Sequence, residues 1–104
     1  MSGENLSVSN AVVAEMIRLA ALEVPGVLRV GHAGPPWRRL FSGRSVRARV
    51  RDRRVRVRVS IVARPGHTLA PLAADVKSAV AAAVERLLGL EPESVTVVVD
   101  GLGT

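Results

Sequence analysis

Apolar residues recur along this chain in two rhythms. From Arg44 onward the period is two: Val46, Ala48 and Val50 alternate with Arg47, Arg49 and Arg51. After Asp52-Arg53 the alternation resumes, with Val55, Val57, Val59 and Ile61 set against Arg54, Arg56 and Arg58. Successive residues of an extended strand face opposite ways. The two runs therefore predict an antiparallel hairpin, turning at Asp52-Arg53, apolar on one face and arginine on the other.

Elsewhere the spacing is helical. Ala11 to Glu23 places Val12, Val13, Met16, Ile17 and Ala20 on one face, with Glu15 and Arg18 off it, and Pro25-Gly26 ends the run. Pro71 suits the first turn of a second helix, in which Leu72, Val76, Ala79 or Val80, Ala83 and Leu87 form a stripe that Gly89 caps. Leu6 and Val8 alternate with polar neighbours as a short strand would, and Ser9 or Asn10 can cap the helix behind them. Val27, Leu28 and Val30 read as another short strand. Gly31 to Gly43 reads as a loop, and Val95 to Val99, after Glu91-Pro92-Glu93, as the last strand.

Two amphipathic helices and a sheet with one apolar face predict a two-layer α+β fold, both helices packed on one face of a small, mainly antiparallel sheet. The other face is then open to solvent. At 104 residues the chain has room for a single domain, residues 1–104. By alternation Val62 and Val98 fall on the outer face as exposed apolar spots where, with open strand edges, a second copy could pair.

Charge sharpens this picture. The chain holds 15 Lys plus Arg against 9 Asp plus Glu, a net +6. Residues 38–58 carry ten arginines and the single acid Asp52, or +9, which leaves five basic and eight acidic groups, or −3, on the other residues. The excess belongs to one hairpin and the loop before it. Without cysteine there is no thiolate zinc site, thiol nucleophile or disulfide framework, and a reducing cytoplasm is compatible. The N-terminal segment lacks the basic-then-apolar order of a signal peptide. No apolar run approaches the roughly 18 to 20 residues of a membrane span.

Catalytic chemistry finds little footing. His32 and His67 each sit in a Gly/Pro-rich turn with no carboxylate nearby in sequence, and read as solvated loop residues. The nine acids are dispersed, with no paired-carboxylate or metal-ligand spacing. No catalytic, cofactor or metal residue is assigned, and the chain reads as a non-enzyme. Gly31-His32-Ala33-Gly34 matches the GxxG spacing of an RNA-clamping loop, but it follows a strand and runs into Pro35-Pro36, the wrong context.

The candidate site is the arginine face: Arg47, Arg49, Arg51, Arg54, Arg56 and Arg58. Arginines directly opposite one another repel, so such a ladder must be solvated, screened or neutralised by a partner. An acidic protein, anionic lipid and nucleic acid each fit. The last is weakened because the only aromatics, Trp37 and Phe41, lie in the adjoining loop, where single-strand-binding sheets would place theirs on the face. That loop adds Trp37, Arg38, Arg39 and Phe41 as contact candidates, since Trp37, Leu40 and Phe41 would share one side of a helical turn.

Several strings carry a resemblance. Leu6-Ser7-Val8-Ser9 leading into a helix, the helix end from Ala20 to Val27, the apolar turn and glycine at Leu40 to Gly43, the valine hairpin, the Val76 to Gly89 helix and Val95 to Leu102 occur in one order. The chain resembles the alkaline-shock, general-stress family of bacterial envelope stress response proteins over nearly its whole length. The resemblance implies a non-enzymatic cytoplasmic protein that self-associates and is held at the inner face of the membrane by a small integral-membrane partner. One departure stands out: family hairpins usually mix acids and bases on the exposed face, and this one is almost pure arginine. The function expected is an interaction or scaffold protein of the envelope stress response, with non-sequence-specific RNA binding through the same face as the alternative.

Overall fold

The computed structural model describes residues 3–32 and 44–103, with side chains from Asn10 onward. Its elements in chain order are helix α1 (Gly3–Leu22), strands β1 (Val27–Val30), β2 (Val46–Arg51) and β3 (Arg54–Ala63), helix α2 (Leu69–Leu88) and strand β4 (Glu91–Leu102). The fold is the expected α+β arrangement, with both helices on the apolar face of the sheet.

The hairpin register is the one alternation predicts, with Val46 opposite Val59, Ala48 opposite Val57 and Val50 opposite Val55. Asp52 and Arg53, both at positive φ (51° and 65°), form the two-residue turn that the right-handed twist of paired strands favours. β3 is the central strand. β2 pairs antiparallel with its first half and β1 with its second, so these two strands lie end to end along one edge of β3. β4 runs parallel to β3 on the other edge, reached through α2 in a strand–helix–strand crossover. Pro92 sits in β4, as the missing N–H of proline permits only on an edge strand.

Val13, Ile17 and Ala21 from α1, with Val24 just beyond its end, bury against Val55, Val57, Val59 and Ile61 of β3 and Leu72, Val76, Val80 and Val84 of α2. The stripes are rotated slightly from expectation. Val12 is 53% exposed and Leu87 64% exposed, because α1 and α2 turn Val13 and Val84 toward the sheet instead. At the end of α2, Gly89 takes φ 65°, its N–H donates to the Glu85 carbonyl at 3.2 Å and the N–H of Leu90 donates to the Val84 carbonyl at 3.2 Å, so a left-handed glycine closes the helix. Gly26 is buried at φ 100°, and a Cβ there would meet His67 Nδ1 at 2.7 Å.

Three expectations need correction. Leu6 to Asn10 is helical, not a strand with a cap. No glycine or proline interrupts it, and extending a helix adds one hydrogen bond per residue fixed, whereas a two-residue alternation has no partner strand to gain. β4 begins at Glu91 and runs to Leu102, well beyond Val95–Val99 on both sides. Val62 does lie on the outer face, yet it is 0% exposed. The C-terminal segment folds across it, so close that a Cβ on Gly103 would lie 1.9 Å from Leu28 Cδ2 and 3.2 Å from Val62 Cγ1. The chain covers this apolar spot itself.

Candidate functional site

Alternation along β2 and β3 projects Arg47, Arg49, Arg51, Arg54, Arg56 and Arg58 from the face away from the helices, and all six are exposed. Strand register sets them in three directly opposed pairs: Arg47 with Arg58, Arg49 with Arg56, and Arg51 with Arg54. Trp37, Arg38, Arg39 and Phe41 lie outside the described residues.

The two ends of this ladder differ. At the turn end, β4 brings its acids alongside. Arg54 Nε lies 3.6 Å from Glu91 Oε2, and Arg54 Nη1 lies 3.9 Å from Glu93 Oε1. Arg56 Nε donates to Glu93 Oε2. That hydrogen bond, opposed by desolvation and helped by the charges of Arg56 and Arg54, holds the Glu93 carboxyl below the usual carboxylate range. The same bond raises Arg56. Arg51 and Asp52 approach to 4.0 Å but are 93% and 89% exposed, a contact that water and salt screen. Arg53 leaves the face and donates to the Gly89 carbonyl at 3.2 Å.

At the far end, Arg47 and Arg58 oppose one another with no carboxylate at ion-pair distance among the described residues. Here β1 ends and β2 begins, both against Ser60 of β3. The Gly31 N–H donates to the Ser60 carbonyl at 2.9 Å and the Ser60 N–H donates to the Ser45 carbonyl at 2.7 Å. This seam brings residues distant in sequence around a recess of about 390 Å³, lined by His32, Arg44, Arg47, Arg58, Ser60, Val98 and Asp100.

His32 is therefore no solvated loop residue. Its side chain is 14% exposed and its Nδ1 lies 3.5 Å from Asp100 Oδ2. Its Nε2 is buried without a hydrogen-bond partner, the only such side-chain atom among the described residues. Val98, expected as an exposed apolar spot, is partly buried and forms a wall of the recess. His67 is exposed, as its turn sequence suggests. The recess joins Arg58 of the expected arginine face to Ser60 and Asp100, neither of them a candidate from the sequence. The missing signal was that β1 and β2 share one edge of β3, which no local pattern encodes.

Among the described residues no group of three or more His, Cys, Asp or Glu side chains is placed to hold a metal ion, and no helix is long and apolar enough to cross a membrane. On the helical side, an apolar groove between α1 and α2 is lined by Met16, Leu19, Ala79, Ala82 and Leu87 among others.

Solved structures share this architecture. A zinc form of the MamM CTD aligns with a TM-score of 0.59 at 26% identity, covering 90% of this chain and 87% of that one. A manganese form gives 0.56 at 28% identity over 88% and 96% of the two chains. A doubly substituted MamM CTD gives 0.59 at 28% identity over 90% and 95%. Among curated proteins no relative matches the chain. The model of the alkaline-shock protein family, described as having a cell envelope-related function, matches residues 2–104. With that match running over nearly its whole length, the chain belongs to the alkaline-shock, cell envelope-related family.

Proposed function

We propose that this protein is a non-enzymatic interaction module of the envelope stress response, self-associating, cytoplasmic, and recruited to the inner face of the membrane through a protein partner that its outer sheet face contacts. The observation that carries the reading is the one-sidedness of the fold. Both helices cover one face of the sheet, and the other presents six exposed arginines, of which Glu91 and Glu93 neutralise only the turn end. A cationic surface of this kind steers and registers an acidic partner. Membership of a cell envelope-related family supplies the setting.

Fractionation of envelope-stressed cells tests it. The protein is expected in the membrane fraction, associated with an acidic protein and released by salt, while a variant with Arg47, Arg49, Arg56 and Arg58 changed to Ser stays in the soluble fraction. Wild-type protein that remains wholly soluble, monomeric and without a partner would overturn the reading. Release from the pelleted fraction by nuclease alone would favour nucleic acid instead.

A further inference from the structure

We propose that the recess at the β1/β2 seam is a binding site for a terminal phosphate group, carried either by a small phosphorylated molecule or by a lipid headgroup. The inference stands apart from the protein-partner reading, since it concerns one end of the face and a ligand of small size.

Three observations converge. First, Arg47 and Arg58 are direct cross-strand partners with no carboxylate at ion-pair distance among the described residues, and Arg44 joins them in the lining of the same recess. Like charges set directly opposite are unfavourable. Each other arginine of β3 on this face has a glutamate from β4 at ion-pair distance, whereas Arg58 has no carboxylate that close among the described residues. Second, the recess adds Ser60, almost wholly buried, and the imidazole of His32, held on its wall beside Asp100. Third, His32 Nε2 is buried and unpartnered, and a buried polar atom in that state commonly marks a missing water, ion or ligand.

The chemistry selects phosphate over a carboxylate. A carboxylate offers two oxygens in one plane, enough for one guanidinium fork. A terminal phosphate presents three oxygens around a tetrahedral centre and can accept from several guanidinium groups at once, with charge-assisted bonds that neutral partners do not match. Asp100 does not cancel the site. Arg44, Arg47 and Arg58 give +3 against its −1, and its carboxylate already lies beside His32 Nδ1.

The test is titration of the full chain with inorganic phosphate and pyrophosphate at constant ionic strength, followed by calorimetry and by backbone amide shifts. Saturable binding is expected, with the largest shifts at Gly31, Arg58 and Ser60. The double variant Arg47→Gln/Arg58→Gln should lose about tenfold or more in affinity, the loss expected when charge-assisted bonds are removed. A control of equal charge, Arg51→Gln/Arg54→Gln, should stay within about twofold of wild type, as screened exposed charges allow. A second arm uses phosphatidylcholine vesicles doped with phosphatidic acid or with phosphatidylglycerol. Binding to phosphatidic acid vesicles that inorganic phosphate displaces assigns the site to a lipid headgroup, and binding of the free phosphates alone assigns it to a small molecule. No saturable binding of either phosphate or of phosphatidic acid vesicles overturns the proposal. Equal loss in the two double variants also overturns it, because binding would then follow diffuse charge, as it would for RNA along the whole ladder. Membrane fractionation through a protein partner can fail while phosphate binds, and the reverse, so the two readings fall separately.

Discussion

The two ends of the arginine ladder are written in the same residues and stand in different surroundings. At the turn end Arg54 and Arg56 have Glu91 and Glu93 from β4 beside them. At the seam end Arg47 and Arg58 share a recess with a serine, a third arginine and an imidazole that has Asp100 beside it. The hairpin pattern does not distinguish the two. The strands flanking the hairpin do, since β4 sets Glu91 and Glu93 beside Arg54 and Arg56 where it meets the start of β3 and its remaining acid, Asp100, beside His32, and β1 yields to β2 only at Ser60. A run of like charges is thus not a single surface property, because each position takes its electrostatics from the strand across from it.

Both ends ride on β3, and the sharpest challenge to treating them as parts of one body is to weaken that strand. Ile61→Ala, beneath the seam, should cost about 2–5 kcal/mol in urea unfolding, as truncation of a fully buried isoleucine does. A single transition, coincident by circular dichroism and by amide resonances from either end, is expected. Two separated transitions would show that the ends belong to independent folding units and that comparing them as one ladder is mistaken.

Acid should erase the difference between the ends. The pKa of Glu93 is depressed in the folded protein, so its contribution to stability is present above its unfolded pKa and is lost as pH falls through the folded one. Below the usual carboxylate range Arg54 and Arg56 become as unmatched as Arg47 and Arg58. The melting temperature should therefore fall with pH more steeply in wild type than in Glu93→Gln, measured by calorimetry. Parallel slopes would remove Glu93 as the cause.

The smallest effect is the most diagnostic, because its sign differs between the ends. Arg56→Gln breaks the bond to Glu93 and should lower stability at neutral pH. Arg58→Gln relieves its opposition to Arg47 and should raise stability by about 0.2–1 kcal/mol, a gain that shrinks as salt is added. Matching signs in the two variants would mean that the ends are not electrostatically different.

Much of the fold was legible because it rests on periodicity. The β2/β3 register followed from valine alternation, and both helix ends near Gly26 and Gly89 followed from glycine and proline chemistry. Where periodicity was ambiguous the reading slipped. Val12 and Val13 are adjacent, and spacing alone did not say which one faces the sheet. Leu6 and Val8 gave a strand where an uninterrupted helix prevailed. Glu91-Pro92-Glu93 looked like a loop because of its proline, which hid the two acids that neutralise the turn end. His32 looked solvated because Ser60 and Asp100 reach it only through the tertiary arrangement. The arginine face was legible as a face, and its division into two unlike halves was not.

The seam at Ser60 also separates strand register from chain length. The backbone N–H and carbonyl of this one residue bind two different segments, at Ser45 and at Gly31, so each strand is anchored to β3 independently of how much chain joins them. The closure cost of a flexible connection rises by only about 0.6 kcal/mol for each doubling of its length. Residues inserted between positions 32 and 44 would leave every rung of the sheet in place. Evolution or an engineer can therefore change the length of this connection without rewriting the fold.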